Sequence, residues 1–182
     1  MNDYKQNWFY KMCTKQCAKD VGFIIVGLLL FAAGLLLFIA VISVLNILLS
    51  LVGVGLTVKG AAVLFSKLPK LSKQMQRMSS QEFNDLGKLP PQIMYYSTFY
   101  FTDRYLCIPS AYALIRYDNI KEIHVNSKVM NGSESGIFVN IEFADGSPSI
   151  DADVKQWGKF RKETSEFMEM VEQHKNALAE II

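Results

Sequence analysis

The longest uncharged stretch of the chain constrains its fold more than any other feature. It runs from Val21 to Val58 and contains no Asp, Glu, Lys, Arg or His. One straight helix over these residues would be about 57 Å long, whereas the hydrocarbon core of a bilayer is about 30 Å thick. Because a single span would leave much apolar helix in water, we predict two transmembrane helices that form a hairpin.

The sequence also indicates where the two helices end. The apolar character continues past Lys59, so we predict helices over residues 21–42 and 46–66. The turn falls near Ser43 and Asn46, the polar residues closest to the midpoint. A cleaved signal peptide is not expected, because its apolar region is usually only about 7–15 residues long. Small residues at spacings of four and seven favour close helix packing. They are Gly27, Gly34, Gly53, Thr57, Gly60 and Ala61.

Basic residues flank the predicted hairpin on both sides, and the turn between the helices has no charge. Residues 1–20 contain four lysines and two aspartates, and residues 59–90 contain six basic and two acidic residues. By the positive-inside rule, we predict a protein of the cytoplasmic (plasma) membrane with both termini in the cytoplasm. Trp8, Phe9 and Tyr10 are predicted to form an interfacial aromatic belt ahead of the first helix.

We predict four regions along the chain. They are a cytoplasmic basic N-terminal segment over residues 1–20, the transmembrane hairpin over 21–66, a basic juxtamembrane helical connector over 67–91 and a cytoplasmic domain over 92–182. Within the hairpin, Lys59 is a candidate intramembrane functional residue, because lysines inside membrane spans are rare and commonly functional. The alternative is that its side chain snorkels to the inner headgroups.

The connector combines basic residues with a partial apolar stripe. Pro69 predicts a helix break or a fresh helix start just outside the membrane. One interpretation is a short helix that spaces the domain from the membrane. The other is a helix that lies on anionic lipid, and both can hold together. The predicted membrane-surface contacts are Lys67, Lys70, Lys73 and Arg77, and the apolar stripe is Leu71, Met75, Met78 and Phe83.

Short runs of β-forming residues, separated by turn signals, follow the connector. They predict an antiparallel meander of six or seven strands, because they are rich in aromatic and β-branched residues or alternate between polar and apolar. The runs are residues 94–101, 105–108, 113–117, 120–125, 137–143 and 149–152. Asn131-Gly132 and Asp145-Gly146 are signals for two-residue turns.

After the last strand the hydrophobic period changes from two to about 3.6 residues, which predicts a final amphipathic helix. Asp153 is predicted to cap this helix, with Gln156 three residues later as in a capping box. The helix should cover the open side of the sheet, since a domain of this size needs it to bury enough apolar area. Its stripe is Trp157, Phe160, Thr164, Phe167, Val171, His174 and Leu178.

The order of these elements resembles that of bacterial pleckstrin-homology-like (PH-like) domains. The local likeness lies in FYFTDRYLCIPSAYALIRYDNIKEIHV, residues 99–125, where a strand ends in Thr-Asp-Arg-Tyr-Leu and Tyr-Asp-x-Ile leads into an alternating strand. Similar phrases occur in small, mostly uncharacterised membrane proteins of Gram-positive bacteria that join one or two helices to such a domain. The resemblance covers residues 92–182.

This resemblance implies an α+β fold. After the N-terminal transmembrane helical hairpin comes a PH-like antiparallel β-barrel or sandwich of six or seven strands, capped by a C-terminal α-helix. Phosphoinositide binding is not carried over, because residues 91–182 contain nine basic and thirteen acidic residues and no basic loop follows the first strand.

Neither charge nor motifs indicate an enzyme or a nucleic-acid-binding protein. The formal net charge is only +2, which gives no support to nucleic-acid binding. The sequence contains no glycine-rich phosphate loop, HExxH, GxSxG or paired CxxC. We therefore expect no catalytic residue, cofactor or metal, and the sequence identifies no small-molecule substrate.

The residues with reactive side chains have simpler structural interpretations. Cys13, Cys17 and Cys107 are an odd number of cysteines, which favours reduced thiols in the cytoplasm over a disulfide framework. Cys107 is predicted to be a small core residue, His124 to be solvated and His174 to pack within the helical stripe.

The sequence therefore predicts a membrane-anchored cytoplasmic PH-like binding or scaffolding module. Its expected partners are the lipid bilayer and either another protein or further copies of the chain. The alternative is a small transport or membrane-assembly subunit in which the transmembrane hairpin is the working part and Lys59 matters. A hydrolase built on Cys107 has no supporting constellation.

Overall fold

A computed structural model describes most of the chain. The described residues are 4–40, 44–87, 94–95 and 98–179. Their contacts form two compact units, which we call the hairpin unit, Met12–Gln74, and the sheet unit, Met1–Lys11 together with Met75–Ile182. This division differs from the predicted one, because the start of the chain and the end of the connector group with the distal domain.

Two long helices, α1 over Trp8–Ala40 and α2 over Val44–Ala62, account for most of the hairpin unit. Both belong to helical stretches that are long and apolar enough to cross a membrane. α1 begins well before the predicted residue 21. Residues 8–20 include three Lys and one each of Gln, Met and Ala, which favour helix, and contain no Gly or Pro to interrupt it. The predicted turn at Ser43 lies outside the described residues, and Asn46 lies inside α2.

The outer surface of these helices is apolar. Highly exposed side chains, each with 62–73% of its surface accessible, are Leu29, Leu36, Val44, Leu45 and Leu51. A continuous apolar surface of this kind is costly in water but not in lipid, whose chains are as apolar as leucine. The uncharged part of α1, residues 21–40, is about 30 Å long and so matches the hydrocarbon core of a bilayer. Together these features indicate membrane association.

The two helices meet along a seam of small residues that repeats every seven positions. The facing pairs are Gly27 with Gly53, Gly34 with Asn46, and Gly60 with Asp20. A Cβ atom placed on the first glycine of any pair would lie 2.6–3.0 Å from a carbonyl oxygen of the facing helix. Each step of seven along α1 is matched by a step of seven back along α2, so one antiparallel register holds throughout. This geometry confirms the predicted close packing of the small residues.

A distorted helical turn follows α2 at the end of the apolar stretch. A π-helical turn, Val63–Lys67, joins α2 to α3, Leu68–Arg77. The Leu68 N–H donates to the Val63 carbonyl five residues earlier. In a regular helix the ring of Pro69 would clash with the carbonyl four residues earlier, and a π turn relieves that clash. Pro69 therefore marks the start of a new α-helix, as predicted, but the chain stays helical through it.

In the described part of the sheet unit, seven strands form two antiparallel sheets. The first sheet contains β1 (Met94–Tyr95), β2 (Phe99–Phe101), β3 (Tyr105–Ile108) and β4 (Ala113–Arg116), and the second contains β5 (Ile120–Met130), β6 (Ser133–Phe143) and β7 (Ile150–Asp153). Neighbours along the chain pair within each sheet. The predicted α+β class and strand number are confirmed, but over the described residues the two sheets do not close into a barrel.

Two strand predictions need correction. The run predicted as one strand over 94–101 forms two strands, because β1 turns back on β2 with Tyr95 opposite Phe99. No Gly or Pro in this run signals the reversal. The strands predicted over 120–125 and 137–143 both extend to Asn131-Gly132, where φ values of 53° and 76° make the predicted two-residue turn.

The C-terminal helical segment begins later than predicted. It consists of α5 (Trp157–Phe160), a 3₁₀ turn over Arg161–Glu163 and α6 (Thr164–Ala179). Asp153 does not cap it, because the ladder between β6 and β7 continues to Asp153, which lies opposite Phe138. Gln156 occupies the N-cap position and makes no side-chain cap bond.

One apolar core lies between the two sheets and the C-terminal helices. Phe160, Phe167, Val171 and Leu178 are all buried in it. The ring of Phe167 lies 4.7 Å from that of Phe99 in β2, centroid to centroid. The prediction that the final helix covers the sheet is therefore confirmed, and the other stripe residues lie half-buried at the margin of the core.

We expect Gly53→Ala to destabilise the hairpin unit, because its Cβ would lie 2.6 Å from the carbonyl oxygen of Gly27. Such overpacking typically costs about 1–3 kcal/mol. Gly55 is the matched control, since a Cβ there meets nothing within 4 Å. Thermal unfolding in detergent micelles should show a lower midpoint for Gly53→Ala and an equal or higher one for Gly55→Ala. Equal midpoints for the two variants would contradict the proposed seam.

Candidate functional site

The predicted membrane-surface contacts are all exposed. Lys67, Lys70 and Lys73 belong to the hairpin unit, and Arg77 is the last residue of α3 and belongs to the sheet unit. Within α3, Leu71 is buried while Lys70 and Lys73 face solvent. The helix is therefore amphipathic, and its charged side chains can reach water or anionic headgroups.

Lys59 lies at the edge of the apolar region and not in its middle. Gly60 faces Asp20 across the seam, which places Lys59 level with Val21, the first residue of the uncharged run. Its Nζ lies 5.1 Å from the centroid of the Phe23 ring, a cation–π distance. This position favours a snorkelling lysine at the headgroup level over a charge buried in the bilayer.

The reactive side chains of the sheet unit occupy the positions predicted for them. Cys107 is fully buried in β3. The His124 side chain is 43% exposed on the second sheet. His174 packs on the rings of Phe101 and Tyr117, at 5.4 and 5.0 Å between centroids, and its Nδ1 lies 2.8 Å from the Met170 carbonyl oxygen. The structural interpretations of these three residues are confirmed.

One group in the described part of the chain has ligand atoms close enough to hold a metal ion. It consists of Glu122, His124 and Glu142, whose nearest ligand atoms lie within 4.8 Å of one another. Lys121 Nζ lies 3.3 Å from a Glu142 oxygen and balances its charge. Because all three side chains face water, their arrangement is that of an ordinary surface charge network.

Sequence reasoning missed a polar cluster around the short helix α4, Ser80–Asp85. We call it the α4 clamp, and its members are Asn7, Trp8, Ser79, Glu82, Asp85, Leu86, Gly87, Arg104, Tyr105, Arg116 and Asp118. On one side, the Trp8 indole N–H donates to the Leu86 carbonyl at 2.9 Å. The Asn7 amide donates to the Gly87 carbonyl at 3.0 Å. The start of the chain therefore binds the carbonyls that end α4.

On the other side, ion pairs tie α4 to the first sheet. Arg104 Nε lies 2.8 Å from an Asp85 carboxylate oxygen. Arg116 Nη1 lies 3.1 Å from Glu82. Arg116 Nε and Nη2 donate to the two carboxylate oxygens of Asp118, at 3.0 and 2.6 Å, and so form a bidentate pair. α4 is thus attached to β4 and to the turn before β3.

Glu82 is the central charge of the clamp. It forms a capping box with Ser79, in which each backbone N–H donates to the other residue's side chain. The Ser79 backbone N–H lowers the pKa of the Glu82 carboxyl most, and the hydroxyls of Ser79 and Tyr105 and the Arg116 guanidinium lower it further, while partial burial opposes them. Burial and the nearby Glu82 carboxylate raise the pKa of Tyr105, so its hydroxyl remains a donor.

Several residues of the phrase over 99–125 have structural roles. The Thr102 hydroxyl accepts from the Tyr105 N–H and donates to the Tyr105 carbonyl, which closes the turn between β2 and β3. Tyr117 is fully buried, and burial raises the pKa of its hydroxyl. Asp118 holds Arg116 in the clamp. These residues therefore build the fold.

The clamp corrects the predicted aromatic belt. Trp8 and Phe9 are buried in the protein, and the Trp8 ring lies 5.4 Å from that of Tyr100 between centroids. The prediction of an interfacial role is therefore wrong for both residues. A sequence signal for the clamp did exist, since Ser79 and Glu82 have the spacing of a capping box.

No protein-family model, curated protein or solved structure matches the chain. The functional assignment therefore depends on the arrangement of its own residues.

We expect Glu82→Gln to lower the stability of the sheet unit by about 1 kcal/mol at pH 7, which is about 4–8 °C in the unfolding midpoint. The folded pKa of Glu82 is lowered, so its contribution is present above the unfolded value of about 4.3 and is lost as the pH falls through the folded pKa. The difference between variant and parent should therefore shrink below about pH 4.

Near-ultraviolet circular dichroism of the purified protein would measure both midpoints. Glu166→Gln is the matched control, since Glu166 is exposed on α6. A constant difference between Glu82→Gln and the parent from pH 7 to pH 3 would show that the charge of Glu82 does not stabilise the clamp.

Proposed function

We propose that the chain is a membrane-anchored cytoplasmic binding or scaffolding module without catalytic activity. The observation that carries this proposal is the contrast between its two units. The hairpin unit exposes many large apolar side chains, whereas over residues 98–179 of the sheet unit Val129 and Met130 alone are large, apolar and exposed. The first surface suits lipid, and the second suits a folded domain in water.

A PH-like assignment of the sheet unit is part of this proposal. A four-stranded and a three-stranded antiparallel meander follow one another along the chain, and a C-terminal helix packs on both. This is the element order implied by the resemblance of residues 99–125. Residues 91–182 contain nine basic and thirteen acidic residues, and this net negative charge favours a protein partner over an anionic lipid headgroup.

The charges near the hairpin support cytoplasmic termini. Lys15 and Lys19 of α1 and Lys67, Lys70 and Lys73 after α2 are exposed and lie outside the uncharged run. With both termini in the cytoplasm, these lysines would face the anionic inner leaflet, where each contributes about 1 kcal/mol of attraction. We propose that they, with Arg77, contact the membrane surface.

The alternative is a transport or membrane-assembly subunit in which the hairpin itself acts. Lys59 lies beside the charged end of α1, and this position favours a hairpin that serves as an anchor over a hairpin that itself acts. The direct backbone contacts along the seam favour it as well, because they are the packing of a structural helix pair.

Introduced cysteines would test the topology, since native Cys13, Cys17 and Cys107 are buried. Val44 is 73% exposed at the start of α2, and Ser133 is exposed beside the β5–β6 turn. We expect an impermeant thiol reagent to label Val44→Cys in intact cells and Ser133→Cys only after permeabilisation. The parent chain is the background control. Labelling of Ser133→Cys in intact cells would contradict cytoplasmic placement.

An anchor exchange would test the function. Residues 12–74 should be replaced by an unrelated two-helix anchor, because the residues on both sides belong to the sheet unit. We expect the chimera to retain the proteins that cross-link to the native chain, since tethering raises local concentration near membrane partners. Lys59→Leu in the native chain should also retain them. A chimera that inserts and folds but loses its partners would favour the hairpin as the working part.

A further inference from the structure

Among the described residues, the hairpin of β5 and β6 presents an open sheet edge. β5 lies at one edge of the second sheet, and residues 126–130 are all exposed. The other edge strand, β7, packs against the 3₁₀ turn Pro109–Ala111. Because an unpaired edge presents a row of N–H and C=O groups, β5 is the strand to which an incoming strand can add.

Two irregularities bound the regular part of this edge. The ladder between β5 and β6 shifts register between Ile120 and Glu122, and again between Lys128 and Val129. The segment from Glu122 to Lys128 is therefore a straight seven-residue strand. Glu122, His124, Asn126 and Lys128 alternate on its outer face, opposite Glu142, Asn140, Phe138 and Gly136 of β6.

We propose that β5 pairs with β5 of a second copy of the chain, antiparallel and centred on Val125. This deepens the proposed function, on which it rests, by naming the chain itself as the protein partner. In a two-fold antiparallel arrangement, each residue of one copy lies opposite a residue of the other copy whose side chain is on the same side of the sheet. Centring on Val125 places Glu122 of each copy opposite Lys128 of the other, so two opposite-charge pairs form. Within its own chain Lys128 forms an exposed ion pair with Asp153, and the incoming Glu122 would join or replace that pair.

Neighbouring registers lack this complementarity. Centring on His124 places Glu122 opposite Asn126, and centring on Asn126 places Glu122 opposite Met130. The two exposed apolar residues of β5, Val129 and Met130, lie directly after this paired segment and are 68% and 66% accessible in the single chain.

Charge reversal would test this pairing in the full-length protein. Donor- and acceptor-labelled copies would be reconstituted together in phosphatidylcholine vesicles, and energy transfer would be measured against protein density. We expect Glu122→Lys and Lys128→Glu each to raise the density needed for half-association at least tenfold, because each variant opposes like charges twice. The double variant should associate like the parent.

Mixing the two single variants provides a stricter test. A Glu122→Lys copy facing a Lys128→Glu copy again forms two opposite-charge pairs, so the mixture should regain the parent's association. Lys162→Glu and Glu166→Lys, both at exposed positions near the C-terminus, are the matched controls and should leave association unchanged alone and mixed. Circular dichroism would establish that each variant is folded.

Three results would overturn the inference. They are a parent chain that stays monomeric at every density, single variants that associate as the parent does, and controls that weaken association as strongly as the β5 variants. The anchor exchange separates this failure from that of the proposed function. If the chimera retains other proteins while the parent is monomeric, the scaffolding role stands and self-pairing fails. If β5 pairing holds while the folded chimera loses its other protein partners, self-pairing stands and the scaffolding role fails.

Discussion

Direct backbone contact between the two long helices is the constraint on which the hairpin depends. Gly27 and Gly53 lie so close that neither position has room for a Cβ atom. The same approach recurs one heptad away on either side, at Gly34 and at Gly60, so the register of the pair is fixed over the whole apolar region. That register also sets the position of Lys59, because it aligns this lysine with Val21, the first residue of the uncharged run.

Sequence patterns with a strong period predicted the elements well. The uncharged run predicted two long apolar helices, and the stripe through Phe160, Phe167 and Val171 predicted a helix that packs on the sheets. The predictions failed for features that have no distinctive local sequence signal. The reversal between Tyr95 and Phe99 has no Gly or Pro to mark it, and Asp153 is as well suited to a cap as to the end of a strand. Its pairing with β6 decided between the two.

The α4 clamp was harder to predict because its members are far apart in the chain. The Trp8 indole and the Leu86 carbonyl are separated by 78 positions, and an aromatic residue ahead of an apolar helix has an obvious alternative role at a membrane interface. Arg104 and Arg116 are ordinary surface residues by sequence. Their partners on α4 become evident once the first sheet brings the turn before β3 and the end of β4 together.

The residues of the phrase over 99–125 build the fold, which limits where a partner can bind. Thr102, Tyr117 and Asp118 close a turn, fill the core and hold an arginine, so they are occupied within the sheet unit. A binding surface would therefore use residues outside the core and the turns. Residues 126–130 of β5 meet this requirement, since they are exposed and their intrachain contacts are surface pairs such as that of Lys128 with Asp153. A surface of this kind can change its partner without changing the fold, because few of its residues contribute to the core.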